Sequence, residues 1–185
     1  MSSAAPRIAP LEPPYPPEIQ EQFDKVMPPG VPPLVLFRTV ATSARAYGKL
    51  RGGSMLDRGP LSLKEREIVI DRTCALNRCE YEWGVHITIF QAPAKLTDEQ
   101  VRATVLAGAD APCWSEAETA LIAAVDALHH RATWTDAEFA ALKAHYDNDK
   151  ILEIIQLCGA YRTISYFCNA LKLPLEPTGA RFPKA

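Results

Sequence analysis

The chain has 185 residues, 48% hydrophobic and 23% charged, with a formal net charge of −2 and a pI of about 6.1. Those values fit a soluble globular protein with one domain and its own core, and they exclude the strongly basic surface that nucleic acid or an anionic membrane would select. No segment approaches the length of a membrane span, and the opening MSSAAPRIAPLEPPYPP lacks the apolar run of a secretory leader, so the expected compartment is the cytoplasm.

Residues 1–33 hold most of the prolines, in PPYPP, MPPG and VPP. Proline fixes φ and removes a backbone donor, so this stretch is expected to be an extended arm, separate from a helical domain over 34–185. A short helix fits within Glu18 to Met27, with Ile19, Phe23 and Val26 on one face. Such an arm needs a surface to lie on, and a neighbouring subunit is one candidate.

From Pro33 onward the apolar spacing is helical. One helix is expected over Leu34 to Leu50, then a loop through GGSMLDRGP. Ser62-Leu63-Lys64-Glu65 reads as a capping box opening a helix to Leu76, with Asn77 as its left-handed terminator. The next helix is expected from Cys79 to about Gln91, and another from Thr97 to Gly108. Ser115 to Glu118 and Thr135 to Glu138 repeat the capping-box pattern before two further amphipathic runs, and a last helix spans about Asp149 to Leu171. No stretch alternates with period two between turns. The predicted fold class is all-α.

The chemistry concentrates in CEYEWGVH, residues 79–86. Cys79, Glu82 and His86 fall at i, i+3 and i+7, which places them on one helical face. At a helix start, unpaired amides and the helix dipole favour a thiolate at Cys79. His86 lies one turn beyond Glu82, and a carboxylate beside an imidazole fixes the ring and raises its basicity, as proton transfer requires. The same pattern also describes an acidic first turn followed by a solvated histidine. The five cysteines, at 74, 79, 113, 158 and 168, are odd in number and contain no CxxC, which speaks against a disulfide framework or a structural zinc site.

The segment LSLKEREIVIDRTCALNRCEYEWGVHITIF resembles the signature of the carboxymuconolactone decarboxylase and alkyl hydroperoxidase D superfamily, and the likeness extends from about Pro33 to Pro183. The resemblance implies an alkyl hydroperoxidase D-like helical bundle, a homo-oligomer (dimer, trimer or hexamer), a small-molecule substrate, and no metal or organic cofactor. Peroxidase members carry a glutamate on one helix, CxxC at the start of the next, and a histidine four residues after the second cysteine. Glu67, Cys79 and His86 match three of those positions, while Glu82 stands in place of the second cysteine. The lactone decarboxylases have a glutamate four residues before the histidine, which Glu82 and His86 match. They also have an arginine two residues before the histidine, where this chain has Gly84.

Three functions follow as alternatives. The first is a decarboxylase-like lyase in which Glu82 and His86 transfer a proton on a lactone or unsaturated acid and Glu67 orients His86 or completes a relay. The second is a thiol-dependent peroxidase with Cys79 as the attacking thiol, resolved by an external thiol or by Cys74; Glu80 and Glu82 oppose it by like charge. The third is a non-catalytic ligand-binding member. In each, Tyr81, Trp83 and Tyr161 are expected to line the substrate pocket, although helical aromatics equally serve as core. Arg162 is a candidate for the cation that Gly84 does not supply.

Overall fold

The computed structural model describes residues 5–184. Among them the chain is all-helical, with nine α-helices: α1 Pro17–Asp24, α2 Val35–Val40, α3 Ala44–Gly52, α4 Leu63–Leu76, α5 Glu80–Ala94, α6 Asp98–Leu106, α7 Glu116–Arg131, α8 Asp136–Lys143 and α9 Asn148–Ala170. A 3-10 turn, Gly108–Asp110, joins α6 to α7. None of these helices is long and apolar enough to cross a membrane.

Local sequence sets the helix starts. Ser62, Thr97, Ser115 and Thr135 each accept from the amide three residues on, and the Glu or Gln at that position reaches back to the cap amide. Each box satisfies two donors that the helix itself leaves unpaired.

Three boundaries differ from the sequence expectation. The helix expected over Leu34 to Leu50 is two helices, because Ser43 caps a new start by accepting from the Ala46 amide and the Thr42 hydroxyl binds the Thr39 carbonyl. Asn77 is not the left-handed residue; its side-chain amide donates to the Thr73 carbonyl, and Arg78 takes φ +54° instead. The amides of Arg78 and Cys79 then bond the carbonyls of Ala75 and Cys74, a Schellman closure of α4. Cys79 in consequence is the N-cap of α5, one residue before the first turn.

Helix α4 is the centre of the bundle and packs against α5, α7 and α9. It buries six consecutive residues, Arg66 to Asp71. A helix buried all round is usually apolar, yet three of those six carry ionisable groups. The bundle therefore encloses a polar cluster, which must be paired or neutralised to be tolerated.

Among the described residues, the N-terminal arm and the C-terminal tail both lie on this bundle. The arm is bound by its own domain: the Arg7 amide and guanidinium donate to the carbonyls of Leu171 and Ala170 at the C-terminal end of α9, and the Leu11 amide donates to Arg38. Ile19 and Phe23 of α1 are buried, with the Phe23 ring edge-on to Tyr15 and Tyr47. The tail after α9 runs along α5. There the Ala180 amide donates to the Gly84 carbonyl at 3.0 Å, and the Phe182 amide donates to Glu80 at 2.9 Å.

Candidate active site

Glu67 on α4 and Glu82 and His86 on α5 meet in the interior. Nδ1 of His86 lies 2.7 Å from Glu67 Oε2, and Nε2 lies 3.5 Å from Glu82 Oε1. Glu67 is fully buried, and its other oxygen takes Nε and a terminal nitrogen of Arg66 at 3.0 and 2.9 Å. Helical spacing supplies the Glu82–His86 pairing, and the antiparallel return of α5 against α4 supplies Glu67. Burial pulls the His86 imidazole toward its neutral form, but the hydrogen bonds and charges of Glu67 and Glu82 outweigh it and push the pKa up to about 10. His86 is thus an imidazolium held between two carboxylates at neutral pH. The Tyr161 ring meets it edge-on at 5.0 Å and Phe90 lies 5.2 Å away.

Glu82 also reaches a cavity of about 290 Å³ walled by Leu36, Phe37, Met55, Leu56, Tyr161 and Phe167. Its Oε2 is buried without a hydrogen-bond partner. A buried carboxylate oxygen left unpaired is costly, and here it belongs to a side chain that lines an apolar cavity. Lys49 and Arg51 also border the cavity.

The other expected site residues lie elsewhere. The Tyr81 hydroxyl accepts from the Leu36 amide at 3.0 Å and donates to Glu176, so it ties α2 and the tail to α5. Trp83 donates to Thr104 at 3.0 Å and packs on Phe182. Both are core residues and are not among those lining the cavity, whereas Tyr161 is. Arg162 donates to the carbonyl of His129 and to Tyr166, beside a separate concavity.

Cys79 is fully buried and is not a lining residue. The Cys168 thiol, near the end of α9, lowers the Cys79 pKa against the opposing effect of burial, and Cys79 in turn raises that of Cys168. Cys74 is buried too, and burial pushes its thiol well up.

Sequence reasoning missed Asp71. It is 1% exposed and neither carboxyl oxygen has a partner. Burial and then the Glu67 charge hold its pKa well above the usual carboxylate range. A group with a raised folded-state pKa of this kind costs stability progressively as pH rises above its unfolded value near 3.8. Asp71→Asn removes that titration, so thermal melting from pH 4 to pH 8 is expected to show the variant gaining on the parent as pH rises. Parallel curves would refute the assignment. The signal lay in the sequence, since Asp71 follows Glu67 by one helical turn, but only the burial of both faces of α4 reveals it.

Residues 41–127 match the carboxymuconolactone decarboxylase family model. No curated protein matches the chain. Among solved structures, the fold is similar to an uncharacterized peroxidase-related protein from Silicibacter sp. TM1040, with TM-score 0.83, 15% identity and 97% of each chain covered. It is equally similar to an alkylhydroperoxidase AhpD core protein from Ralstonia eutropha JMP134, with TM-score 0.83, 18% identity and 95% of each chain covered. A variant of the debrominase Bmp8 in complex with 2,3,4-tribromopyrrole follows at TM-score 0.74 and 14% identity, over 96% of this chain and 95% of that one. The match over residues 41–127 spans both signature helices, α4 and α5, so the part of the chain that carries Glu67, Glu82 and His86 is the part similar to the carboxymuconolactone decarboxylase family, on a bundle with the fold of the alkylhydroperoxidase AhpD-like structures.

Proposed function

We propose that this protein is a decarboxylase-like enzyme that transfers a proton on a small unsaturated carboxylic acid or lactone. The observation that carries the reading is the position of Glu82, which has one oxygen toward His86 Nε2, leaves the other buried without a partner, and lines an apolar cavity. When the bond to the leaving carboxylate breaks, its electron pair passes into the substrate's unsaturated system. CO₂ departs, and the carbon that gains density takes a proton. The proton comes from the His86 imidazolium, which passes it from Nε2 through the Glu82 carboxylate to that carbon and is left as the neutral imidazole. Glu67 holds the ring in register from Nδ1, so the proton path is fixed before substrate arrives. The apolar walls suit the substrate's hydrocarbon part, and Lys49 and Arg51 suit an acid group at the mouth. The test is a panel of unsaturated acids and lactones in D₂O, followed by mass spectrometry. Deuterium at the carbon of the unsaturated system that gains the electron density, with Glu82→Gln inactive, supports the reading; full turnover by Glu82→Gln ends it.

A second reading, a thiol peroxidase, is favoured by the mutual influence of the Cys79 and Cys168 thiols, which lowers the Cys79 pKa. In it, Cys79 attacks the outer oxygen of a hydroperoxide, releasing the alcohol and leaving a sulfenic acid. The Cys168 thiol then displaces water to close a disulfide, and an external dithiol reduces it. The full burial of Cys79 places this reading second. One equivalent of peroxide followed by peptide mapping decides: the proton-transfer reading expects Cys79 and Cys168 to stay reduced, and a 79–168 disulfide formed within the assay time would reverse the ranking.

A further inference from the structure

One side chain joins the buried proton path to the wall of the cavity. Arg66, 8% exposed on α4, uses Nε and one terminal nitrogen on Glu67 Oε1. Its other terminal nitrogen donates to the Leu56 carbonyl at 3.0 Å. Phe90, which also stacks near His86, lies under the guanidinium at 5.2 Å. Leu56 belongs to the connection between α3 and α4, and Gly53, Ser54, Met55 and Leu56 from that connection all line the cavity that Glu82 enters. The contacts therefore close a circuit. Glu82 meets His86, His86 meets Glu67, Glu67 meets Arg66, and Arg66 holds the backbone of the wall opposite.

The connection has few other anchors on this side. Residues 53–60 contain no helix, and the next fixed point is the Leu61 amide, 3.4 Å from Glu153 on α9. The guanidinium is suited to this double duty because it is planar, permanently charged and presents donors on separate edges. A single ammonium at the same place would have to choose between the carboxylate and the carbonyl.

We propose that Arg66 is the positioning residue of this site. It fixes Glu67 against His86 and, with the same guanidinium, holds the Leu56 wall over Glu82, so that ordering of the cavity and orientation of the acid–base pair depend on one side chain. The inference rests on the proton-transfer reading for its functional meaning, but the contacts it invokes are testable without a substrate.

The experiment compares Arg66→Lys and Arg66→Met with the parent by amide hydrogen exchange and by the downfield proton resonance of His86 Nδ1. Arg66→Lys keeps the charge beside Glu67 and gives up the carbonyl. Amides of residues 53–58 are expected to exchange about 10- to 100-fold faster, the loss of a hydrogen bond to a charged donor, with the His86 resonance kept. Arg66→Met loses both partners, so the loop exchanges faster and the His86 resonance broadens or moves. Exchange that rises equally in α7 would show a merely structural role and overturn the proposal, as would an unchanged loop in both variants. On a confirmed substrate, Arg66→Lys is expected to raise KM with little change in kcat, and Arg66→Met to lower kcat as well. Failure of Glu82→Gln to reduce turnover would remove the reaction while leaving the exchange result standing, so the two ideas fail separately.

Discussion

Glu82→Gln is expected to lower kcat on a confirmed substrate by about 10²- to 10⁴-fold, the range in which a positioned general acid or base contributes. The amide fills the same space and still accepts from His86, so binding should change little and the loss should appear in kcat. Glu67→Gln tests the same pair from behind. It removes one of the two carboxylates that push His86 up to about 10, so any alkaline limb of the pH–rate profile is expected to move to lower pH. The parent's stability follows the same titration. A histidine whose folded pKa is raised contributes stability fully below its unfolded value near 6.5 and loses it as pH rises through about 10. Denaturation at pH 6 and pH 10 should show that decline in the parent and a shallower one in Glu67→Gln. Equal slopes, together with an unmoved pH–rate profile, would sink the assignment of Glu67 as the partner that sets the imidazolium.

Gly84→Ala is expected to destabilise the protein by about 2–4 kcal/mol, the sum of overpacking and lost backbone hydrogen bonds. A Cβ at Gly84 would stand 2.2 Å from the Ala180 carbonyl oxygen, and that neighbour is backbone, which cannot swing aside. The tail would have to lift from α5, giving up the Ala180 amide bonds to Gly84 and Thr88. It would also strain the Phe182–Trp83 contact and the Glu176 carboxylate that Val35 and Tyr81 share. Because Glu176 and Tyr81 fix the start of α2, and α2 supplies Leu36 and Phe37 to the cavity, the effect reaches the site. Thermal melting and limited proteolysis after residue 173 provide the check. A variant that melts like the parent with a protected tail would refute the steric argument. The same geometry explains why this chain carries no arginine two residues before the histidine: with the tail in place, no side chain fits there.

The sequence by itself determined those features whose physics is local. A capping box needs two residues three apart, so Ser62, Ser115 and Thr135 were legible with the helices they open. The Glu82–His86 pair needs only one helical turn. The signature around it was enough to indicate the superfamily and, with it, Glu67 as the third member. Where local signals competed, the outcome was not legible. Asn77 and Arg78 both border the end of α4, and Asn77 lost the left-handed position because its side chain is engaged by the Thr73 carbonyl.

The tertiary structure decided everything that depends on residues far apart in the chain. Tyr81, Trp83 and Tyr161 read alike as helical aromatics, but only Tyr161 faces the cavity; the tail and α6 take the other two. The thiol beside Cys79 is Cys168, on a helix more than eighty residues away, and not the nearby Cys74 alone. Arg66 and Asp71 look like ordinary charges on an amphipathic helix until α5, α7 and α9 close around α4 and remove them from water. Burial is a property of the packed bundle. It turns one charge into a tether and leaves another without a partner, while the packing of α4 against α5 brings Glu67 to His86, where its charge and that of Glu82 hold the imidazolium against the pull of burial.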